Sequence, residues 1–180
     1  MEKGVENLKT TIDDLTGIVQ SNLVTVEFEC INLSEVIAKN SESLHSMIKE
    51  ADYQINNMVA NDAWLSGVPA FIDSIILNFF TNAIKYRSKE RKGFLKITSK
   101  KYGDFIEITL EDNGLGIDLE KHGDKLFGMY KTFHGKEDSR GVGLYMTKNQ
   151  IERMGGKIEV QSKVNVGTAF KVFLPIRKCV

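Results

Sequence analysis

Residues from about Phe71 to Tyr86 read as a helix that is apolar on nearly every side yet keeps one polar stripe. Ile72, Ile75, Ile76, Phe79, Phe80 and Ala83 recur at helical spacing. Asn78, Asn82 and Lys85 fall at i, i+4 and i+7 and share a face. A helix with so much apolar surface has to be buried against other elements. Two amides and a lysine on one stripe are awkward beside a core. A solvated face is the plain explanation of such a stripe. The wall of a cleft fits better here, because the remainder of the helix is so apolar.

Around this helix the chain alternates helical and extended stretches. Val5, Leu8, Ile12, Leu15 and Val19 form a three-four seam. A helix so short needs a partner, either from a second copy or from residues upstream, or it packs on its own domain. Val24 to Phe28 alternates as a strand. Asn32-Leu33-Ser34-Glu35 opens a helix to about Ile48, with Ser34 as its cap. Asp52 to Val59 reads as a short strand, followed by a turn around Gly67-Val68-Pro69. Leu95 to Thr98 and Phe105 to Leu110 form a hairpin around Tyr102-Gly103-Asp104. A Gly-rich, polar stretch runs from Asn113 to Arg140. The next helix ends at Met154-Gly155-Gly156, and Lys157 to Gln161 and Ala169 to Leu174 are the last strands. Strands gathered late, with helices between them, predict a two-layer α/β sandwich with a mostly antiparallel sheet.

The 180 residues suffice for one good core. Lysine plus arginine and aspartate plus glutamate stand at 24 each, so no global field recruits nucleic acid or a membrane. Cys30 and Cys179 lie at opposite ends without metal-ligand spacing, which suits a reducing cytosol. The three histidines complete no zinc pattern. There is no apolar run long enough to cross a bilayer and no signal-peptide layout. The start at Met1-Glu2-Lys3 runs straight into a helix, which reads as part of a longer protein.

Three further segments bear chemistry. Asp112-Asn113-Gly114-Leu115-Gly116 ends the alternating strand. A carboxylate there can accept from the exocyclic amine of adenine, and Gly114 and Gly116 let a flat ring come close. A plain turn after a strand would also use these residues. Gly141 and Gly143 open a helix whose free N–H groups can hold phosphate oxygens, with Arg140 adding charge. The amide oxygens of the Asn78–Asn82 stripe suit magnesium, which keeps phosphate oxygens and water as its other ligands, and Lys85 can face the phosphates. Gly167-Thr168 follows downstream. Four elements in this order point to one nucleotide site.

These residues resemble the ATP-binding catalytic domain of a bacterial sensor histidine kinase, in the superfamily shared with DNA gyrase, mismatch-repair ATPases and heat-shock chaperone ATPases. Asn78 to Tyr86 is similar to the N box and Asp112 to Gly116 to the first glycine box. Leu126-Phe127-Gly128-Met129-Tyr130 resembles the phenylalanine box, Gly141-Val142-Gly143-Leu144 the second glycine box and Gly167-Thr168 the last. The resemblance implies a Bergerat-type fold with helices on one face of a mixed, mostly antiparallel sheet. It implies ATP and Mg2+ as cofactors, with Asn82 on the metal and Asp112 on adenine. Lys85 and Tyr86 would meet the phosphates and the nucleotide's edge, and Tyr130, Arg140, Gly141, Gly143 and Leu144 would line the site. Thr168 would support Asp112, and Leu119 to Ser139 would be a mobile lid. Residues 1–22 resemble the second helix of a dimerisation hairpin, and 23–180 the catalytic domain. The partners implied are the protein's own phosphoacceptor helix pair in a homodimer and a response regulator receiver domain, with no nucleic acid and no membrane contact. The location implied is cytoplasmic, whether or not the full-length protein is membrane-anchored.

The sequence departs from the family pattern in two places. Ser139 stands where the second glycine box usually has an earlier glycine. None of His45, His122 and His134 is followed by Glu or Asp, as the family's phosphoacceptor usually is, so the acceptor is expected upstream. Position 78 separates the branches: the ATP-hydrolysing relatives commonly carry glutamate there, and an amide cannot serve as a general base. Phosphoryl transfer to an imidazole is therefore the expected chemistry, with Asn78 and Lys85 as the catalytic pair. A gyrase- or chaperone-type ATPase and a nucleotide-binding module without phosphotransfer are the rival readings.

Overall fold

A computed structural model describes residues 27–128 and 142–176. The expected helix of residues 1–22 and the distal lid, 129–139, lie outside them. The elements run β1 (Glu29–Asn32), α1 (Leu33–Ser43), α2 (His45–Glu50), β2 (Tyr53–Asn57), β3 (Trp64–Gly67) and α3 (Pro69–Lys85). They continue with β4 (Gly93–Tyr102), β5 (Phe105–Asp112), α4 (Leu119–His122), a 3-10 turn (Gly123–Lys125), α5 (Gly143–Arg153), β6 (Lys157–Lys163) and β7 (Gly167–Pro175).

Strands β2-β4-β5-β7-β6 form one sheet in that order, with β2–β4 parallel and every other pair antiparallel. Helices α1, α3 and α5 pack beside one another against one face of it. The period-two pattern of the strands explains the layering. Leu95 and Ile97 of β4, Ile108 and Leu110 of β5, and Phe170, Val172 and Leu174 of β7 turn to the helices and are buried. Into them α3 drives Phe71, Ile72, Ile75, Ile76, Phe79 and Phe80, with the rings of Phe79 and Phe170 tilted at 40° and their centroids 5.0 Å apart. The opposite face is a polar ladder. Lys96 pairs with Glu111, Thr98 with Thr109, and Lys100 with Glu107, whose carboxylate lies 3.2 Å from the ammonium. This is the two-layer sandwich expected.

Local expectations needed correction at the N-terminal side. Glu27 and Phe28 are not in a strand; the strand is Glu29–Asn32, paired antiparallel with β3, of which the sequence had placed only Gly67, in a turn. The cap of α1 is Asn32 rather than Ser34, its side-chain oxygen accepting from the Ser34 and Glu35 N–H groups at 3.0 and 3.2 Å. The long helix to Ile48 is broken at Leu44 into α1 and α2. Cys179 lies outside the described residues. Among the described residues, no helix is long and apolar enough to cross a membrane.

Candidate functional site

Asp112 is the last residue of β5, in the row that begins with Ile108 and Leu110 on the helix-facing side. A carboxylate that continues a core row loses water. Burial pushes its pKa up from 3.8 to about 6, and Glu111 adds to the rise. The N–H groups of Gly114 and Thr168 and the charge of Arg91 act the other way. The Gly114 N–H donates to Asp112 Oδ1 at 2.7 Å. Thr168 sits opposite Asp112 in the β5–β7 ladder and is buried, its hydroxyl 2.9 Å from Ser162 Oγ. Ser162 accepts from the Ile117 N–H at 2.7 Å, which ties the loop after Gly116 to β6.

This turn docks on the end of α3. The Leu115 N–H donates to the Tyr86 carbonyl, and the Tyr86 N–H donates to the Asn82 carbonyl, both at 2.9 Å. A Cβ at Gly114 would lie 2.6 Å from the Tyr86 carbonyl oxygen and 2.8 Å from Asp112 Oδ1. Asp112 and Asn82 are therefore linked through Gly114 and Tyr86 across the junction of α3 and β5. At Gly116, with φ at +68°, a Cβ would collide with the Lys163 carbonyl of the β6–β7 hairpin. The chain's own backbone occupies the space denied to side chains at both glycines. That cause is additional to the close approach of a ring that the sequence proposed.

Two residues fix the turn that the sequence had not singled out. Arg91 donates from Nε to the Asn113 carbonyl at 2.8 Å. Its Nη2 donates to the carbonyls of Gly114 at 2.8 Å and Asn165 at 2.7 Å. Asn113 adds a rung to the β4–β5 ladder, accepting from the Phe94 N–H and donating to the Lys92 carbonyl, each at 2.9 Å. Nothing in the charged run Ser88 to Lys92 marks Arg91 out. Tyr53 was also missed; its buried hydroxyl donates to the Phe94 carbonyl at 2.7 Å and feels the charge of Asp112.

The polar stripe of α3 faces α5, which runs antiparallel to it. Asn78 Nδ2 donates to Thr147 Oγ1 at 2.8 Å, and Gln150 Nε2 donates to Ser74 Oγ at 3.1 Å. Asn82 Nδ2 donates to Asn78 Oδ1 at 3.2 Å. A Cβ at Gly143, the first residue of α5, would collide with Asn78 Oδ1. Leu144 is half-buried against the core, and Lys85 Nζ stands 5.9 Å from the centre of the Tyr86 ring. Tyr130, Arg140 and Gly141 lie outside the described residues.

The donor set fits a magnesium–triphosphate. Asn82 has its amide nitrogen engaged, while its Oδ1 accepts no hydrogen bond among the described residues. Those residues contain no cluster of three or more His, Cys, Asp or Glu able to cage a metal. One hard amide oxygen suits a cation whose other ligands are phosphate oxygens and water.

A buried carboxylate thus stands at a strand end of a mixed sheet, joined to an amide-bearing helix that meets the N-terminus of a second helix. The family model for histidine kinase-, DNA gyrase B- and HSP90-like ATPases matches residues 67–178, and the chain belongs to that family. Among known proteins it is similar to the signal transduction histidine-protein kinase ArlS of Staphylococcus aureus. The two are 26% identical over 183 residues, covering 93% of this chain and 40% of ArlS. The Acinetobacter baumannii histidine kinase AdeS superposes with a TM-score of 0.76 at 20% identity, over 97% of this chain and 81% of that one. Full-length ShkA, in complex with AMPPNP, gives 0.81 at 17% identity, over 98% of this chain and 37% of that one. These two structures speak for the fold. The chain spans well under half the length of ArlS, at 40%.

Proposed function

We propose that this chain is the catalytic domain of a sensor histidine kinase that transfers the γ-phosphoryl group of ATP to a histidine on the dimerisation hairpin of the full-length protein. Residues 1–22 belong to that hairpin, and an aspartate of a response regulator receives the group next. The observation that carries this reading is the state of Asn78. Its amide is held between Thr147 and Asn82 and cannot take a proton from water near neutral pH. A site without a base for water, but with places for adenine, metal and phosphates, works by positioning a nucleophile brought from outside.

Mg-ATP supplies an electrophilic phosphorus with its charge partly neutralised. Asp112 accepts from the adenine amine, Asn82 offers Oδ1 to the cation, and Lys85 and the N-terminus of α5 face the phosphate charge. The bond between the γ-phosphorus and the ADP oxygen breaks as a bond to the imidazole nitrogen forms, and ADP leaves.

Incubating the chain with γ-labelled ATP, Mg2+ and a separately made acceptor hairpin should place the label on histidine. Free phosphate released at a rate indifferent to the hairpin would instead make the protein an ATPase. Label on neither would leave a binding module. For the metal role, Asn82→Ala is expected to abolish the gain in ATP affinity that Mg2+ confers over EDTA. An undiminished gain by calorimetry would remove Asn82 from the metal.

A further inference from the structure

Two successive peptide units hold the adenine end of the site, and one side chain holds both. Among the described residues every peptide is trans, so each carbonyl points away from the N–H that follows it. The Gly114 N–H donates to Asp112 Oδ1 at 2.7 Å. The opposite edge of the same unit, the Asn113 carbonyl, accepts from Arg91 Nε at 2.8 Å. In the next unit the Leu115 N–H donates to the Tyr86 carbonyl at 2.9 Å, and the Gly114 carbonyl accepts from Arg91 Nη2 at 2.8 Å. Chemistry fixes these directions, because a guanidinium only donates and a carbonyl only accepts. Arg91 Nη2 also reaches the carbonyls of Asn165 at 2.7 Å and Val166 at 3.5 Å, in the β6–β7 hairpin. The Asn165 N–H returns to the Leu115 carbonyl at 2.7 Å. Four carbonyl oxygens gathered in one place repel one another unless a cation stands among them.

We propose that Arg91 is a positioning residue for adenine recognition. Its planar fork orients the two peptides that anchor the Asp112 carboxylate and tie it to the end of α3, so that the carboxylate meets the exocyclic amine. Arg91 acts through those peptides rather than by touching the base. Its charge works in the same sense, favouring the ionised form of Asp112 that accepts. This rests on the assignment of Asp112 to adenine made above. It goes beyond that assignment by making selectivity for the base depend on an exposed loop arginine and on the hairpin it clamps.

The test compares, by calorimetry in Mg2+, the dissociation constants of ATP and of purine riboside triphosphate, which has hydrogen in place of the 6-amine. Their ratio reports the amine alone; a general loosening of the fold weakens both ligands and leaves the ratio unmoved. A hydrogen bond to a charged acceptor corresponds to a wild-type preference for ATP of about 100-fold, and Arg91→Ala should reduce it to about tenfold. Arg91→Lys keeps the charge but has no planar fork to span two peptides, and its preference should fall as far. Lys89→Ala removes another exposed charge of the same loop and should keep the full preference. Arg91→Gln serves if the alanine variant does not fold. Full preference in Arg91→Ala, Arg91→Gln or Arg91→Lys, with none in Asp112→Asn, overturns the role of Arg91 and leaves Asp112 on adenine. A preference lost equally in Lys89→Ala traces the effect to the charge of the loop and overturns it as well. Full preference in Asp112→Asn, or none in the wild type, overturns both assignments.

Discussion

Asp112→Asn is expected to weaken ATP binding about a hundredfold and, at the same time, to make the ligand-free domain harder to unfold near neutral pH. The two effects share one origin. Asp112 continues a row of core residues, and burial raises its pKa to about 6. A hydrogen bond to a charged acceptor is worth about 1.5–3 kcal/mol, and asparagine would turn a donor or a weaker acceptor toward the adenine amine. In the absence of nucleotide the charge is a burden. Below the ordinary carboxylate range both folded and unfolded chains hold the proton, and nothing is lost. As pH rises past 3.8 the unfolded chain ionises while the folded one still resists, so stability falls until the folded group ionises near pH 6. A shift of this size corresponds to up to about 3 kcal/mol. Thermal melts at pH 7.5 should place Asp112→Asn above the wild type, with the gap closing by about pH 4. Wild-type ATP affinity should rise as pH passes upward through about 6, and the variant's should not. Equal affinities for the two proteins would remove Asp112 from the adenine site.

How much of this could be read in advance differs along the chain. The α3 stripe and the strand-end carboxylate were legible because each announces itself locally, one by helical spacing and the other by alternation that stops at a charge. What faces the stripe was not legible. Thr147 and Gln150 lie three residues apart on α5 and meet Asn78 and Ser74, four apart on α3, across about 70 residues of chain. Only the antiparallel packing of the two helices brings those spacings together. Strand β3 is four residues, Trp64 to Gly67, directly before a Val-Pro turn signal, and its partner β1 lies some 35 residues upstream. Short strands paired at that distance carry no local period. The cap at Asn32 was a choice between two competent side chains, decided by where the backbone leaves β1. Arg91 reads as one more charge in a charged loop, yet its guanidinium gathers four carbonyls from two separate turns.

Gly167→Ala is expected to cost about 3 kcal/mol or more of stability and to take ATP binding with it, although Gly167 has no side chain to offer a ligand. Its φ of +145° is one that L-residues rarely adopt. A Cβ there would collide with the Asp112 carbonyl oxygen and come within 2.9 Å of Asn113 Cα. Both are main-chain atoms, so relief requires β5 and β7 to part at the rung where Asp112 pairs with Thr168. That rung holds the buried carboxylate in register with α3. Gly103, in the β4–β5 turn, supplies the control. It has φ at +58°, but a Cβ added there would meet nothing within 4 Å, so Gly103→Ala should lose only about 1–2 kcal/mol and bind ATP normally. Denaturant melts and calorimetry on the pair separate backbone conformation from contact. If the two substitutions prove equally mild, the close approach of β7 to Asp112 is not what holds the adenine end of the site in place.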